Sequence, residues 1–105
     1  QLRVKADRGM MLQVLSNLAK NACEAGARDI DIRWENALLI SNNGAPIPPD
    51  VAREIFVPFF TTKQTGSGIG LALARLMMHK QGMNLSLAEQ PVPGFRTTFV
   101  ISKLP

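Results

Sequence analysis

With 105 residues, 46% of them hydrophobic, the chain is sized for one domain with a small core. A single cysteine excludes a disulfide framework, and no apolar run approaches the roughly 20 residues of a membrane-spanning helix. The net charge of +4 comes from Lys and Arg scattered from Arg3 to Lys103 rather than gathered in a stripe, so a nucleic-acid partner is not expected.

In chain order, Leu2 and Val4 alternate with charged residues and predict a short strand. Asp7 is placed to cap a helix from Gly9 to Ala25, whose apolar positions Met11, Leu15, Leu18, Ala22 and Ala25 recur at helical spacing. Gly26 is its expected stop. Cys23, mid-helix between Ala22 and Ala25, is expected to be a buried structural thiol. Ile30, Ile32 and Trp34 alternate with Asp31 and Arg33 and predict a half-buried strand, paired as a hairpin with a second over Ala37 to Ile40. Asn42-Asn43-Gly44-Ala45-Pro46 is loop chemistry. A short helix is expected from Pro49 to Ile55, an aromatic cluster from Phe56, a glycine loop over Gly66 to Gly70, and a helix over Leu71 to Lys80 ended by Gln81-Gly82. Leu85 and Leu87 mark a strand, Pro91 to Gly94 a turn, and Thr97 to Ile101 a closing strand. The order β-α-β-β-α-α-β-β predicts an α/β (α+β) fold: a two-layer sandwich with a mixed, mostly antiparallel sheet covered on one face by helices.

Two segments carry chemistry. Asn17, Asn21 and Glu24 fall within a roughly 60° arc of the first helix at about 100° per residue. A solvated polar face explains such an arc. So does a ligand site, because amide oxygens suit a hard cation such as Mg²⁺ that bridges phosphates. Gly66-Ser67-Gly68-Ile69-Gly70 runs straight into a helix, and glycines there let the backbone approach a phosphate at a helix N-terminus. A flexible connector would look the same. The spacing matches neither a dinucleotide fingerprint nor a Walker loop. Thr61-Thr62-Lys63 just upstream adds two hydroxyls and a cation.

Taken in order, the motifs resemble the nucleotide-binding domain shared by histidine kinases, type II topoisomerases, MutL-type repair proteins and ATPase chaperones. MLQVLSNLAKNACEA, from Met11 to Ala25, is similar to the N box. SNNGAPIP, from Ser41 to Pro48, resembles the first glycine box, IFVPFFTTK, from Ile55 to Lys63, the F box, and GSGIGLA, from Gly66 to Ala72, the second glycine box. The F box favours the histidine-kinase branch. Asn17 does too: hydrolysing members carry a glutamate there, and an amide cannot act as a general base.

The resemblance implies an ATP-binding catalytic domain of a two-component sensor histidine kinase. Such a domain transfers the γ-phosphate to a histidine on a separate dimerisation and phosphoacceptor domain. It implies ATP and Mg²⁺ as cofactors, with Asn21 on the metal. The implied base site is Asn42, Gly44, Ile47 and Thr97, with Thr98 able to replace Thr97. Thr62, Gly66, Gly68, Gly70 and Leu71 are implied around the phosphates, and Asn17, Asn21 and Lys63 as the catalytic group. The expected parent is a homodimer served by a response regulator, cytoplasmic or membrane-anchored with this domain on the cytoplasmic side. Residues 1–105 are expected to be a single domain excised from that longer kinase.

Two departures stand out. The family's first glycine box reads Asp-x-Gly-x-Gly, whereas this chain has Asn42 and Pro46 at the first and last positions. Asn42 keeps a carbonyl oxygen for the adenine amino group and adds an NH₂ able to donate to a ring nitrogen or a water. Pro46 fixes φ near −65° and reshapes the loop. The alternative they raise is a degenerate nucleotide-binding or docking module without kinase activity. His79, the one histidine, lacks a phosphoacceptor setting.

Overall fold

The computed structural model describes residues 7–57 and 70–104. Asp7 caps helix α1 (Arg8–Glu24): its carboxylate accepts the Met10 N–H at 2.8 Å, satisfying one of the free donors of the first turn. The chain leaves α1 through Gly26, at φ 80°, a backbone state that suits glycine. Strands β1 (Ile30–Trp34) and β2 (Leu38–Asn42) form the expected hairpin, turned at Asn36 with φ 61°. A single turn of helix, α2 (Pro49–Ala52), is shorter than the span to Ile55 expected from sequence. Then come α3 (Gly70–Lys80), β3 (Met83–Leu87) and β4 (Thr97–Lys103). Gly82 and Gly94 end α3 and the β3–β4 turn at positive φ.

The four described strands form one antiparallel sheet in the order β1-β2-β4-β3. The strand expected at Leu2 and Val4, which the mixed sheet of the sequence reading includes, lies outside the described residues. Register assigns the faces. Ile40 pairs with Phe99, Leu38 with Ile101, and Leu85 with Ile101, so these side chains share one face. Val14 and Leu18 of α1 and Ala74, Met77 and Met78 of α3 join them in the core. The helices therefore cover this face, and the fold is the expected two-layer α/β sandwich. The helices run antiparallel: the Asp7 N–H donates to the Gln81 side chain at one end, and the Asn17 amide donates to the Gly70 carbonyl at the other. The N-terminus of α3 thus opens beside the C-terminal half of α1.

Three expectations need correction. β1 is not half-buried: Ile30, Ile32 and Trp34 are 42, 55 and 41% exposed. They point to the helix-covered face, but β1 lies at the end of the described strand order opposite β3, the strand against which α3 packs. Alternation marks a strand's two faces without saying what covers either. Cys23 is exposed, not buried. The buried stripe of α1 is Val14, Leu18 and Ala22, and Cys23 is turned about 100° out of it. Of the expected stripe Met11, Leu15, Leu18, Ala22 and Ala25, Leu18 and Ala22 are buried, and the fully buried Val14, which the expectation left out, completes it.

Candidate functional site

The C-terminal turn of α1 and the adjacent ends of β2 and β4 bound a cavity of about 260 Å³. Its polar lining comes from Asn21 and Glu24 on α1, Asn42 on β2 and Thr97 on β4. Ile47, Val51, Ile55, Leu71 and Phe99 supply apolar walls, a combination of flat apolar faces and few polar groups that suits a small organic ligand. Asn42 and Thr97 are cross-strand partners, buried to 7 and 4% exposure. Both face the helices. Thr98 faces the opposite side of the sheet, where its hydroxyl pairs with Ser41 Oγ at 2.8 Å and accepts the Val92 N–H at 2.9 Å. Of Thr97 and Thr98, this register puts only Thr97 on the cavity side.

The loop after β2 is pinned to the end of α1. Asn42 Oδ1 accepts the Gly44 N–H at 2.9 Å, and the Ala45 N–H donates to the Ala25 carbonyl at 2.8 Å. Asn43 Oδ1 accepts the N–H groups of Arg28 and Asp29 at 2.9 and 3.0 Å, while its Nδ2 donates to Asp29 Oδ2 at 2.9 Å. Gly44 is here for closeness, since its φ is not among the positive ones. A Cβ on it would sit 2.9 Å from both the Cβ and the carbonyl oxygen of Ala25. Asn43→Ala should therefore loosen the wall that carries Asn42. Three exposed hydrogen bonds amount to about 1–2 kcal/mol together. A lower thermal midpoint, by roughly 4–8 °C per kcal/mol for a domain of this size, is the expected result. A melting curve identical to wild type would show that the bridge contributes nothing.

Below the cavity, Phe99 meets the Phe56 ring edge-on, with centroids 6.5 Å apart and an 85° interplanar angle. The Arg75 guanidinium lies 4.7 Å over Phe56. Its Nε is buried without a hydrogen-bond partner among the described residues, and the ring face is a contact that cation gains in exchange for water. The start of the F box is thereby tied to both α3 and the cavity floor.

Of the residues singled out from sequence, Asn21, Asn42, Ile47, Leu71 and Thr97 line the cavity together. Gly44 shapes its wall, and Gly70 opens α3 next to Leu71. Asn17 is not in the lining; its amide holds the Gly70 carbonyl at 3.2 Å and so joins α1 to the start of α3. Thr62, Lys63, Gly66 and Gly68 lie outside the described residues. Val51, Ile55 and Phe99 are lining residues absent from the predicted site, and Glu24, which lay on the polar arc of the first helix, lines the cavity without having been given a role. Glu24 had a signal, one turn after Asn21 on the same arc; Phe99 had one in its alternation with Thr97.

The family model for histidine kinase-, DNA gyrase B- and HSP90-like ATPases matches residues 6–105. The chain belongs to this family. Among its members the similarity is to sensor histidine kinases. The signal transduction histidine-protein kinase AtoS of Escherichia coli (strain K12) is 35% identical over 93% of this chain and 17% of its own length. The C4-dicarboxylate transport sensor protein DctB of Rhizobium meliloti (strain 1021) is 35% identical over 96% of the chain and 17% of its own length. Among solved structures, the catalytic domain of histidine kinase ThkA superposes with a TM-score of 0.71 at 35% identity, covering 99% of this chain and 71% of that one. The mycobacterial sensor histidine kinase MprB gives a TM-score of 0.72 at 25% identity, over 93 and 73% of the two chains. The chain is thus a histidine-kinase-type ATP-binding catalytic domain, spanning under a fifth of the length of these two curated relatives. No helix among its described residues is long and apolar enough to cross a membrane.

Proposed function

We propose that this domain transfers the γ-phosphoryl group of Mg·ATP to a histidine carried on a separate dimerisation and phosphoacceptor domain. The observation that carries the reading is the cavity itself. It sets an amide of α1, Asn21, across from a buried polar pair, Asn42 and Thr97, between apolar faces. Asn42 and Thr97 read the base edge, with Ile47 against its face. Asn21 offers an amide oxygen to Mg²⁺, and the negative end of the α1 dipole favours a cation there. A cation of this kind, bound chiefly through phosphates, asks the protein for only one or two ligands. Mg²⁺, when bound, would supply charge neutralisation on the phosphate oxygens. The N-terminus of α3, at Gly70 and Leu71, favours phosphate, and Gly66, Gly68, Thr62 and Lys63 are assigned to the same end of the nucleotide. Transfer of this kind asks a protein for positioning and charge stabilisation rather than covalent chemistry.

The acceptor belongs to another segment or chain. His79 Nε2 is paired with Asn84 Oδ1 at 2.8 Å, in the last turn of α3 and outside the cavity lining. Asn17, bound to the Gly70 carbonyl, is an amide and cannot deprotonate water. The parent is proposed as a homodimeric sensor kinase with this domain on the cytoplasmic side, signalling through a response regulator. The altered first glycine box, Asn42 and Pro46, keeps a second reading open: a nucleotide-binding module without kinase activity.

Labelled Mg·ATP tests both. The domain alone should neither label itself nor hydrolyse ATP at any rate near the general enzyme median of about 10 s⁻¹. Mixed with the phosphoacceptor domain of its parent, it should produce acid-labile label on that domain's histidine. Stoichiometric label on His79 would overturn the proposal; binding without any transfer in the mixture would establish the second reading.

A further inference from the structure

We infer that Asn42 makes this site accept purine nucleotides with an oxo group at C6 at least as well as those with an amino group, an inference that rests on the nucleotide reading above. Asn42 is 7% exposed, lines the cavity and is locked from one side. The Gly44 N–H donates to its side chain at 2.9 Å. That bond assigns the amide, because only the oxygen can receive an N–H and the reversed amide would set two donors against each other. Gly44 in turn cannot retreat to free the oxygen. Its backbone is wedged against Ala25, and its neighbour Ala45 is hydrogen-bonded to the Ala25 carbonyl.

The consequence is one of donors and acceptors. A carboxylate in this pose would hold Gly44 with one oxygen and keep a second, charged acceptor. The amide has an NH₂ in that place, so the strong unspent polarity of Asn42 is donation. The one lone pair left on Oδ1 sits on an atom already shared with Gly44. At the six-position edge of a purine, adenine presents a donor at C6 and an acceptor at N1. Hypoxanthine presents an acceptor at C6 and a donor at N1. The amide serves hypoxanthine directly, NH₂ to O6. Adenine has only the remaining lone pair of the shared Oδ1 for its amino group, which leaves the NH₂ unmatched unless the base slides to bring N1 to it, and a buried donor left without an acceptor costs the full desolvation of that group. Thr97, the cross-strand neighbour, does not restore discrimination, since a hydroxyl both donates and accepts. Discrimination by a carboxylate runs the other way: it accepts from the amino group and repels the lone pairs of O6.

The experiment is calorimetric titration of the domain with Mg·ATP and with Mg·ITP, the inosine triphosphate, for wild type and for Asn42→Asp. Inorganic tripolyphosphate with Mg²⁺ is the control without a base. Wild type should bind ITP as tightly as ATP or more tightly, and both far better than tripolyphosphate. Asn42→Asp should turn the ratio toward ATP by about tenfold. A wild-type preference for ATP of about threefold or more overturns the inference, and that measurement does not depend on the variant folding. So does a ratio unchanged in a folded Asn42→Asp, or tripolyphosphate binding as well as the nucleotides. If wild type binds none of the three, the nucleotide reading itself has failed, a result distinct from a misassigned base preference.

Discussion

Gly44→Ala should weaken nucleotide binding about tenfold or more while leaving the rest of the sandwich standing. The added methyl would lie 2.9 Å from the Ala25 Cβ, 2.9 Å from its carbonyl oxygen and 3.1 Å from the Ala27 nitrogen. Two of those three atoms are backbone, and the Ala25 segment is held by N–H bonds to the Asn21 and Ala22 carbonyls at the end of α1. Neither side can yield cheaply. The loop has to lift, which breaks the Ala45-to-Ala25 hydrogen bond and strains the Asn43 bridge to Arg28 and Asp29. Inserting one methyl into a tight interface costs about 1–3 kcal/mol, a large share of the 5–15 kcal/mol typical of a small domain but short of unfolding it. Affinity suffers more directly, because Asn42 aims its amide through the bond to Gly44. The expected result is a loss of about tenfold or more in Mg·ATP affinity with a cooperative melt shifted to lower temperature. Wild-type affinity in Gly44→Ala would mean that the loop and α1 need not touch for the pocket to form.

That close approach also shows what a sequence conveys and what it withholds. The punctuation was legible: Asp7, Gly26, Gly82 and Gly94 each sit where cap and turn chemistry require them. So were the hairpin, both long helices and the lining residues Asn21, Asn42, Ile47, Leu71 and Thr97, because ordered motifs and local spacing carry them. Relations across the chain were not legible. Asn43 looked like one more loop residue, and its partners Arg28 and Asp29 lie 15 and 14 residues away in the turn after α1. The face of Thr97 depended on a one-residue register, which pairing with Asn42 settles and composition cannot. Exposure of Ile30, Ile32 and Trp34 depends on what covers their face, information that no alternation of apolar and charged residues contains. Asn17, aligned with a catalytic position, spends its amide on Gly70, 53 residues on.

Asn21→Ala should separate metal-dependent from metal-independent binding. Asn21 lies half-buried on α1 one turn before Ala25, so it faces the cavity from a helix that the Ala25–Gly44–Ala45 junction holds in place. Truncation there should not harm the helix, since alanine is the better helix former by several tenths of a kcal/mol. The amide oxygen suits Mg²⁺ as a hard ligand, and the loss of that contact is felt when the ion bridges protein and phosphates. Interactions with a charged partner are worth about 1.5–3 kcal/mol, or roughly 10- to 150-fold in affinity. Mg·ATP binding should therefore fall by that factor in Asn21→Ala. ATP titrated in the presence of a chelator should bind the variant and wild type within about twofold of each other, a difference near 0.4 kcal/mol. Asn21→Asp gives the complementary reading: it restores an oxygen ligand and adds a charge, so its affinity for ATP should depend on Mg²⁺ more steeply than that of wild type. Equal losses in Asn21→Ala with and without the metal would assign Asn21 to the architecture of α1 and leave the cation held by the phosphates and other groups.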